Sequence, residues 1–335
     1  MFLSKYFKAQ KGSNHLGTVS INFRPVNESY GGMNVFVKQI SRWLVDRGYR
    51  VVYELNPEVD IVLVAHPWLT HTDPYGFDDV QAFKRANPKV QVLLRINECD
   101  KRKKTMHMDQ WLAQWESISD HTYFISQWLC DHHALNWFDK KRPHSCIYNG
   151  ADPRVFHPVG GSTYDGFGPL RIVTHHWSDN PMKGYSDYQK LDSQIAAGDI
   201  KDVEFLVIGR WPADINWQVT KTHGSAHGKK LADLLRGCHV YLTGSHWEPC
   251  GMHHVEGIQC GLPVIYHRDG GGIVELARRY GIEYSDDLGS AIEQMRDSYE
   301  TYRKTVLSDP PRTGDEMCLR TVDIIQKMRA ISIYG

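Results

Sequence analysis

The sequence has no net charge, no long apolar run and no paired cysteine motif. Its 39 Lys and Arg residues balance its 39 Asp and Glu residues, so its overall charge does not indicate a nucleic-acid or membrane partner. No apolar run approaches the roughly 20 residues of a membrane-spanning helix, and residues 1–15 do not resemble a signal peptide. The seven cysteines include no Cys-x-x-Cys pair, which favours reduced thiols in a cytoplasmic protein.

The sequence also lacks a set of residues spaced as metal ligands. The histidine-rich clusters are short: His132-His133, His175-His176, and Cys250 with His253-His254. Adjacent side chains on a helix point in different directions, and no fourth ligand follows at a recognisable spacing. We therefore predict no metal site.

Short apolar segments alternate with amphipathic ones along the whole chain. Predicted strands lie at 18–23, 50–54, 60–65, 89–96, 122–125, 146–148, 170–174, 203–208, 240–242 and 263–266. Predicted helices lie at 31–47, 78–85, 105–117, 186–195, 229–236, 252–259, 271–279, 288–302 and 315–331. This alternation is typical of α/β domains with a buried parallel sheet.

A glycine-rich linker at residues 159–169 interrupts the pattern, and Pro310-Pro311 interrupts it again. We predict two Rossmann-like, doubly wound domains with an interdomain cleft, at residues 1–158 and 159–310. The segment 311–335 forms a final helix with Leu319, Val322, Ile325 and Met328 on one face.

Residues 245–275 carry the most specific pattern. Glu248 and Glu256 stand eight positions apart, and Gly251 between them precedes a predicted helix. The first N–H groups of a helix attract an anion such as a phosphate. Carboxylates before and inside that helix accept hydrogen bonds from sugar hydroxyls. The pattern therefore suits a nucleotide diphosphate that carries a sugar.

This stretch resembles the donor-site signature of the GT4-type retaining glycosyltransferases, which have the GT-B fold. The matching positions are Ser245, Glu248, Gly251, Glu256, Gly261, Pro263, Val264, Ile265, Gly271 and Glu275. Three further segments resemble the same family: residues 149–158, Gly31-Gly32 and Lys183-Gly184. In that fold, the final helix returns to the first domain.

The resemblance implies a retaining, metal-independent transferase that needs no cofactor beyond its nucleotide-sugar donor. A UDP-sugar is favoured and a GDP-sugar comes next. Glu256 is expected to bind the ribose, Glu248 to lie beside the donor sugar, and Lys183 to stabilise the leaving diphosphate. The other residues expected around the donor are Ser245, Gly251, Met252, His253, Gly31 and Gly32.

Two positions depart from the family pattern. The family usually places an arginine before the lysine, whereas this chain has Thr174-His175-His176-Trp177 there; we predict that Arg210 supplies the missing charge. A histidine often follows the family's fourth strand, where Asn97 stands here. An amide can bond a sugar hydroxyl but cannot carry a proton charge. His66, at the end of the preceding strand, is an alternative with an equally plausible structural role.

The acceptor is less visible in the sequence. We expect a glycan, lipid-linked or small-molecule hydroxyl, bound by first-domain loops at 27–30, 68–75 and 99–107, with peripheral membrane contact left open. The basic run Lys101-Arg102-Lys103-Lys104 is interpreted as a solvated loop; the alternative is a subsite for a phosphate-bearing or nucleic-acid acceptor. Two rival functions remain: a transferase that modifies a nucleobase hydroxyl in DNA or RNA, and a nucleotide-sugar-binding protein that transfers nothing.

Overall fold

The computed structural model describes residues 15–26, 31–68, 73–311 and 313–334, with side chains as far as residue 330. The predicted acceptor loop at 27–30, part of the loop at 68–75 and the N-terminal residues 1–14 lie outside the described residues.

The first domain is a parallel sheet flanked by helices. Its described strands are β1 (Gly17–Ile21), β2 (Tyr49–Val52), β3 (Ile61–Val64), β4 (Gln91–Ile96), β5 (His121–Phe124) and β6 (His144–Cys146), in the order β2-β1-β3-β4-β5-β6. Its helices are α1 (Gly31–Asp46), α2 (Phe77–Ala86), α3 (Asp100–Lys103), α4 (Met108–Glu116) and α5 (Gln127–Asn136). Near-continuous apolar runs such as Ile61–Val64 are buried, as strands covered on both faces require.

The second domain repeats this plan. Its described strands are β7 (Leu170–His176), β8 (Val203–Gly209), β9 (Lys221–His223), β10 (Val240–Thr243), β11 (Val264–His267) and β12 (Gly281–Tyr284), in the order β12-β11-β10-β7-β8-β9. Its helices are α6 (Tyr185–Ala197), α7 (Gly228–Arg236), α8 (Met252–Gln259), α9 (Gly272–Ala277) and α10 (Leu288–Ser308). The predicted α/β architecture of two doubly wound domains is confirmed.

The last helix, α11 (Gly314–Tyr334), packs on the first domain. Cys318, Val322 and Ile325 are fully buried in the same apolar cluster as Phe36 of α1. The prediction that Leu319 shares this face is wrong, because its side chain is 43% exposed. The buried stripe is centred on Cys318 and Val322, which leaves Leu319 at its solvent edge.

The sequence missed β9, β12, α3 and α5. The strands β9 and β12 are short and lie at the two edges of the second sheet. Helix α3 falls in the basic run that was predicted to be a solvated loop. That prediction is wrong at its centre, since Arg102 is only 4% exposed.

Candidate active site

A cavity of about 350 Å³ lies between the two domains, at the carboxyl ends of their parallel strands, where open α/β sheets bind ligands. Nine of the predicted site residues line it: Gly31, Gly32, Asn97, Lys183, Glu248, Gly251, Met252, His253 and Glu256. The fold therefore brings first-domain and second-domain candidates to one place.

Glu248 is held by two cations. Its Oε2 atom lies 2.7 Å from Nζ of Lys183 and 2.5 Å from Nη2 of Arg102. Burial opposes ionisation of this carboxyl, but the charges of Arg102 and Lys183 outweigh it and lower the pKa of Glu248 to about 2. The carboxylate is therefore ionised at neutral pH.

Lys183 is positioned by a tight turn. A 3-10 turn at Pro181–Lys183 is capped by the side chain of Asn180, which accepts from the N–H of Met182. Gly184 follows with φ 88°, and a Cβ there would lie 2.3 Å from the backbone of Gly244. Only glycine fits this approach. Burial lowers the pKa of Lys183, and Glu248 counteracts it.

The N-terminus of α8 opens into the cavity. Gly251 is the N-cap residue, and as a glycine it has no side chain to cap the helix. Gly251, Met252 and His253 all line the cavity. The preceding loop is fixed from the first domain, because Asn149 Nδ2 donates to the carbonyl of Cys250 at 2.7 Å. An eight-residue helix whose first turn faces a cavity is suited to binding an anion.

Glu256 lies one turn further along α8. Its Oε2 atom is 2.8 Å from Nε2 of His175, and the hydroxyl of Tyr241 is 3.1 Å from Nδ1 of the same ring. His175 therefore fixes the orientation of the carboxylate. The sequence analysis considered His175 as part of a histidine cluster and of a departure from the family pattern, and did not assign it this role.

The neighbouring histidines are buried. Burial lowers the pKa of His176 and His253 well below the usual value and that of His254 to about 3. These rings are therefore neutral at physiological pH. Histidine–carboxylate groups with metal-ligand proximity do occur among the described residues, at Asp109–His132–His133 and His246–His267–Asp269. Neither group lines the cavity. Both ring nitrogens of His133 already lie 3.0 Å from partners, the carbonyl of Glu98 and Nε1 of Trp137.

The first-domain wall contributes Asn97. Its Oδ1 atom is buried and has no hydrogen-bond partner among the described residues. A carbonyl oxygen in this state suits a ligand hydroxyl, because an unsatisfied buried acceptor is costly. His66, the alternative first-domain candidate, bonds Asp73 at 2.8 Å and packs edge-on against Trp68.

Two predicted site residues do not line the cavity. The guanidinium of Arg210 lies 4.4 Å from the ring centre of Trp177, which does line it, while the arginine itself is exposed. Ser245 is 1% exposed, and its hydroxyl is buried without a partner among the described residues. A donor role for either residue stays a prediction.

Arg102, like His175, is a residue whose role the sequence reasoning missed. Its Nη1 atom donates to the carbonyls of Met182 and His246, each at 2.7 Å, in addition to the Nη2 contact with Glu248. It lies in a basic run, and such a run usually forms a solvated face. For that reason the burial of Arg102 was not predicted.

Solved structures share the whole fold. Sucrose-phosphate synthase from Thermosynechococcus elongatus has a TM-score of 0.70 at 16% identity, covering 94% of this chain and 100% of that one. Anabaena HepE in complex with UDP and glucose has a TM-score of 0.66 at 11% identity, covering 93% and 99%. An alpha-glucosyltransferase in complex with UDP-glucose and DNA containing an abasic site has a TM-score of 0.61 at 10% identity, covering 92% and 99%. No curated protein sequence matches the chain.

Residues 181–304 match the family described as glycosyl transferases group 1. The chain has the GT-B fold, and its second domain carries the match to this glycosyltransferase family. The matched segment includes Lys183, Glu248 and Glu256, which line the cavity. Among the described helices, none has both the length and the apolar character needed to cross a bilayer.

Proposed function

We propose that this chain is a glycosyltransferase that moves a sugar from a UDP-sugar to a hydroxyl of a sugar-containing acceptor, with retention at the anomeric carbon. The proposal rests on one observation, the convergence of Lys183, Glu248 and Glu256 around the N-terminus of α8 in one cavity. The lysine and the helix terminus suit a diphosphate, and the carboxylates on either side suit sugar hydroxyls.

The donor spans the cavity from Glu256 to Glu248. Glu256, oriented by His175, binds the ribose hydroxyls, and Glu248 lies beside the transferred sugar. The Anabaena HepE complex contains UDP and glucose, and the DNA-bound relative contains UDP-glucose. These complexes support a UDP-sugar over a GDP-sugar. All seven cysteines are free, which supports the cytoplasmic location that we propose for the enzyme.

The chemical step is electrostatic. The bond between the anomeric carbon and the phosphate oxygen breaks, and Lys183 and the N–H groups at Gly251 and Met252 stabilise the charge that develops on the diphosphate. The acceptor oxygen attacks the same face, and its proton passes to the leaving phosphate. We propose that no metal takes part, and that the amide of Asn97 holds a hydroxyl of the transferred sugar.

A second groove supports an acceptor that carries a sugar. It measures about 640 Å³, lies between the domains, and contains the rings of Trp128, Trp247 and Tyr148. Trp247 directly precedes Glu248 and has φ 48°, which is unusual for a bulky residue and is often found at ligand-binding sites. Tryptophan rings can pack on the C–H face of a sugar. The groove's charged residues can bond its hydroxyls: Lys101, Asp131, Arg268, Asp269, Glu275 and Arg278.

Transfer to a nucleobase hydroxyl in DNA is the second candidate, and the likeness to the DNA-bound glucosyltransferase favours it. The basic run gives it little support. Arg102 is buried, Lys101 lies 4.6 Å from the ring centre of Trp247, and Lys103 pairs with Glu98 at 3.2 Å. Salt-dependent binding to duplex DNA would favour this candidate.

The direct test is a thermal-shift panel with UDP-, GDP- and ADP-sugars. A ligand that binds only the folded protein raises its melting temperature by mass action. We expect the largest rise with a UDP-sugar; no rise with any nucleotide sugar would contradict the proposal. Transfer to a panel of sugar acceptors, followed by NMR of the new linkage, then checks retention.

A further inference from the structure

Arg102 belongs to the first domain, but every hydrogen bond that the structure gives its guanidinium reaches the second. The side chain rises from the short helix α3 and is 4% exposed. It donates to the carbonyls of Met182 and His246 and to the carboxylate of Glu248. A planar guanidinium can make these contacts together, whereas the ammonium group of a lysine lacks this fixed arrangement of donors.

These acceptors lie on two different loops of the donor site. Met182 directly precedes Lys183, and His246 lies two positions before Glu248. One first-domain side chain thus ties the lysine loop to the glutamate loop. The arrangement at Lys183 and Glu248 is therefore fixed by the docking of the first domain as well as by the second domain itself.

Arg102, Lys183 and Glu248 together carry one net positive charge. Arg102 and Lys183 share the same oxygen of Glu248. Without Arg102, Lys183 and Glu248 would form a neutral pair, and the lysine would have to leave an otherwise unpaired buried carboxylate to reach a diphosphate. Leaving a buried charge unpaired is strongly unfavourable. With Arg102 present, Glu248 keeps a partner when Lys183 moves.

We propose that Arg102 is a positioning residue that completes the donor site from the opposite domain, holding Glu248 so that Lys183 is released to the leaving diphosphate. The inference rests on the proposed donor function. It makes transferase activity depend on domain docking, because the guanidinium reaches Glu248 only when α3 lies against the loops at Met182 and His246.

The division of the effect between kcat and donor binding reports this role. If Arg102 holds Glu248 so that Lys183 can move to the leaving diphosphate, its removal weakens an interaction that is needed most in the transition state. We therefore expect kcat to fall more than the affinity for UDP.

The experiment compares Arg102→Ala, Arg102→Lys and, as a matched control, Arg85→Ala at an exposed position of α2 in the same domain. We expect Arg102→Ala to lower kcat/KM for the donor at least about fiftyfold, with Arg102→Lys recovering little and Arg85→Ala unchanged. The loss in Arg102→Ala should fall mainly on kcat, while the affinity for UDP changes by less than about tenfold. Millimolar guanidinium chloride should restore part of its activity, and equal sodium chloride should not.

Wild-type kinetics in Arg102→Ala would overturn the proposal. So would a loss of activity that guanidinium does not rescue and that falls equally on kcat and on UDP affinity, since this is the behaviour of a residue that only packs the interface. Binding of UDP to the wild type is measured first by calorimetry. If the wild type binds no nucleotide, the donor function itself is wrong; if it binds and Arg102→Ala turns over normally, only the role of Arg102 is wrong.

Discussion

Nε2 of His175, at the end of β7, lies 2.8 Å from Oε2 of Glu256 in α8. The other ring nitrogen is 3.1 Å from the hydroxyl of Tyr241, so the imidazole cannot turn without losing a buried partner. Glu256 is thereby held in the wall of the cavity. Preorganisation of this kind lowers the entropic cost of binding.

Glu256→Gln tests the ribose contact. The amide keeps the size of the side chain but loses the charge that strengthens its bonds to hydroxyl groups. We expect the affinity for UDP, measured by calorimetry, to fall at least about tenfold, with little change in melting temperature. Glu300→Gln, on the exposed face of α10, is the control. Normal UDP binding by the folded Glu256→Gln enzyme would show that the ribose lies elsewhere.

The sequence predicted that Glu248, Gly251 and Glu256 lie together because they belong to one strand–loop–helix unit, so their spacing alone places them around a helix terminus. Lys183 was added only through its resemblance to the lysine of the family, and the structure brings it to the same cavity. Their roles toward a donor stay predictions. The two-domain fold was also predictable from local sequence, because each buried strand and each helix has its own pattern of apolar residues.

The contacts between domains could not be predicted in this way. Arg102 and Glu248 are 146 positions apart. No pattern in the basic run indicates that Arg102 is buried while the lysines beside it are exposed. Glu275 shows the same limit: it matched the family's donor signature, but its carboxylate accepts from the N–H groups of Gln127 and Trp128 at the start of α5 in the other domain. Pairings of this kind depend on how the two sheets face each other.

Lys183→Ala should affect turnover more than donor binding. The lysine is partly buried beside Glu248. In the proposed mechanism it meets the charge that grows on the diphosphate in the transition state, so its removal costs more there than in the ground state. We expect kcat to fall about a hundredfold and the donor dissociation constant to change by less than about tenfold. Lys201→Ala, at an exposed position, should behave as wild type. Equal losses in kcat and in donor affinity would contradict this assignment.

Arg210→Ala tests the prediction that this residue supplies charge to the diphosphate. The guanidinium lies on Trp177 at the edge of the cavity, and a donor in the cavity would have to draw it inward. If it does so, turnover falls at least about tenfold. Near-normal kinetics in Arg210→Ala, measured beside Arg102→Ala, would reject Arg210 and leave Lys183 and α8 as the diphosphate site.

Trp128→Ala separates acceptor binding from donor binding. Trp128 lines the second groove but not the donor cavity. If an acceptor sugar packs on its ring, the KM for the acceptor should rise at least about tenfold, while UDP affinity stays constant. Trp111→Ala, on the exposed surface of α4, is the matched control. An unchanged acceptor KM would place the acceptor outside this groove.

Buried histidines make the stability of the fold sensitive to acid. Burial lowers the pKa of His133 and of His239 to about 4, and that of His254 to about 3, from an ordinary value of 6.5. These rings are neutral in the folded chain at pH 6 and partly protonated in the unfolded chain. Because the unfolded state binds more protons, the free energy of unfolding falls as the pH drops from about 6.5 toward 4.

His239→Gln should weaken this dependence without touching the donor cavity. His239 lies outside that cavity. Its Nδ1 atom accepts from the backbone N–H of Arg171 at 3.1 Å, and its Nε2 atom lies 2.8 Å from Nη2 of the same arginine. The oxygen of a glutamine amide can accept from Arg171, and the amide does not titrate in this pH range. We expect the wild type to lose about 3 kcal/mol or more between pH 7.5 and pH 5 in urea unfolding. His239→Gln should lose measurably less, while His107→Gln, at an exposed position, should match the wild type. An identical pH dependence in all three proteins would mean that His239 is protonated in the folded state.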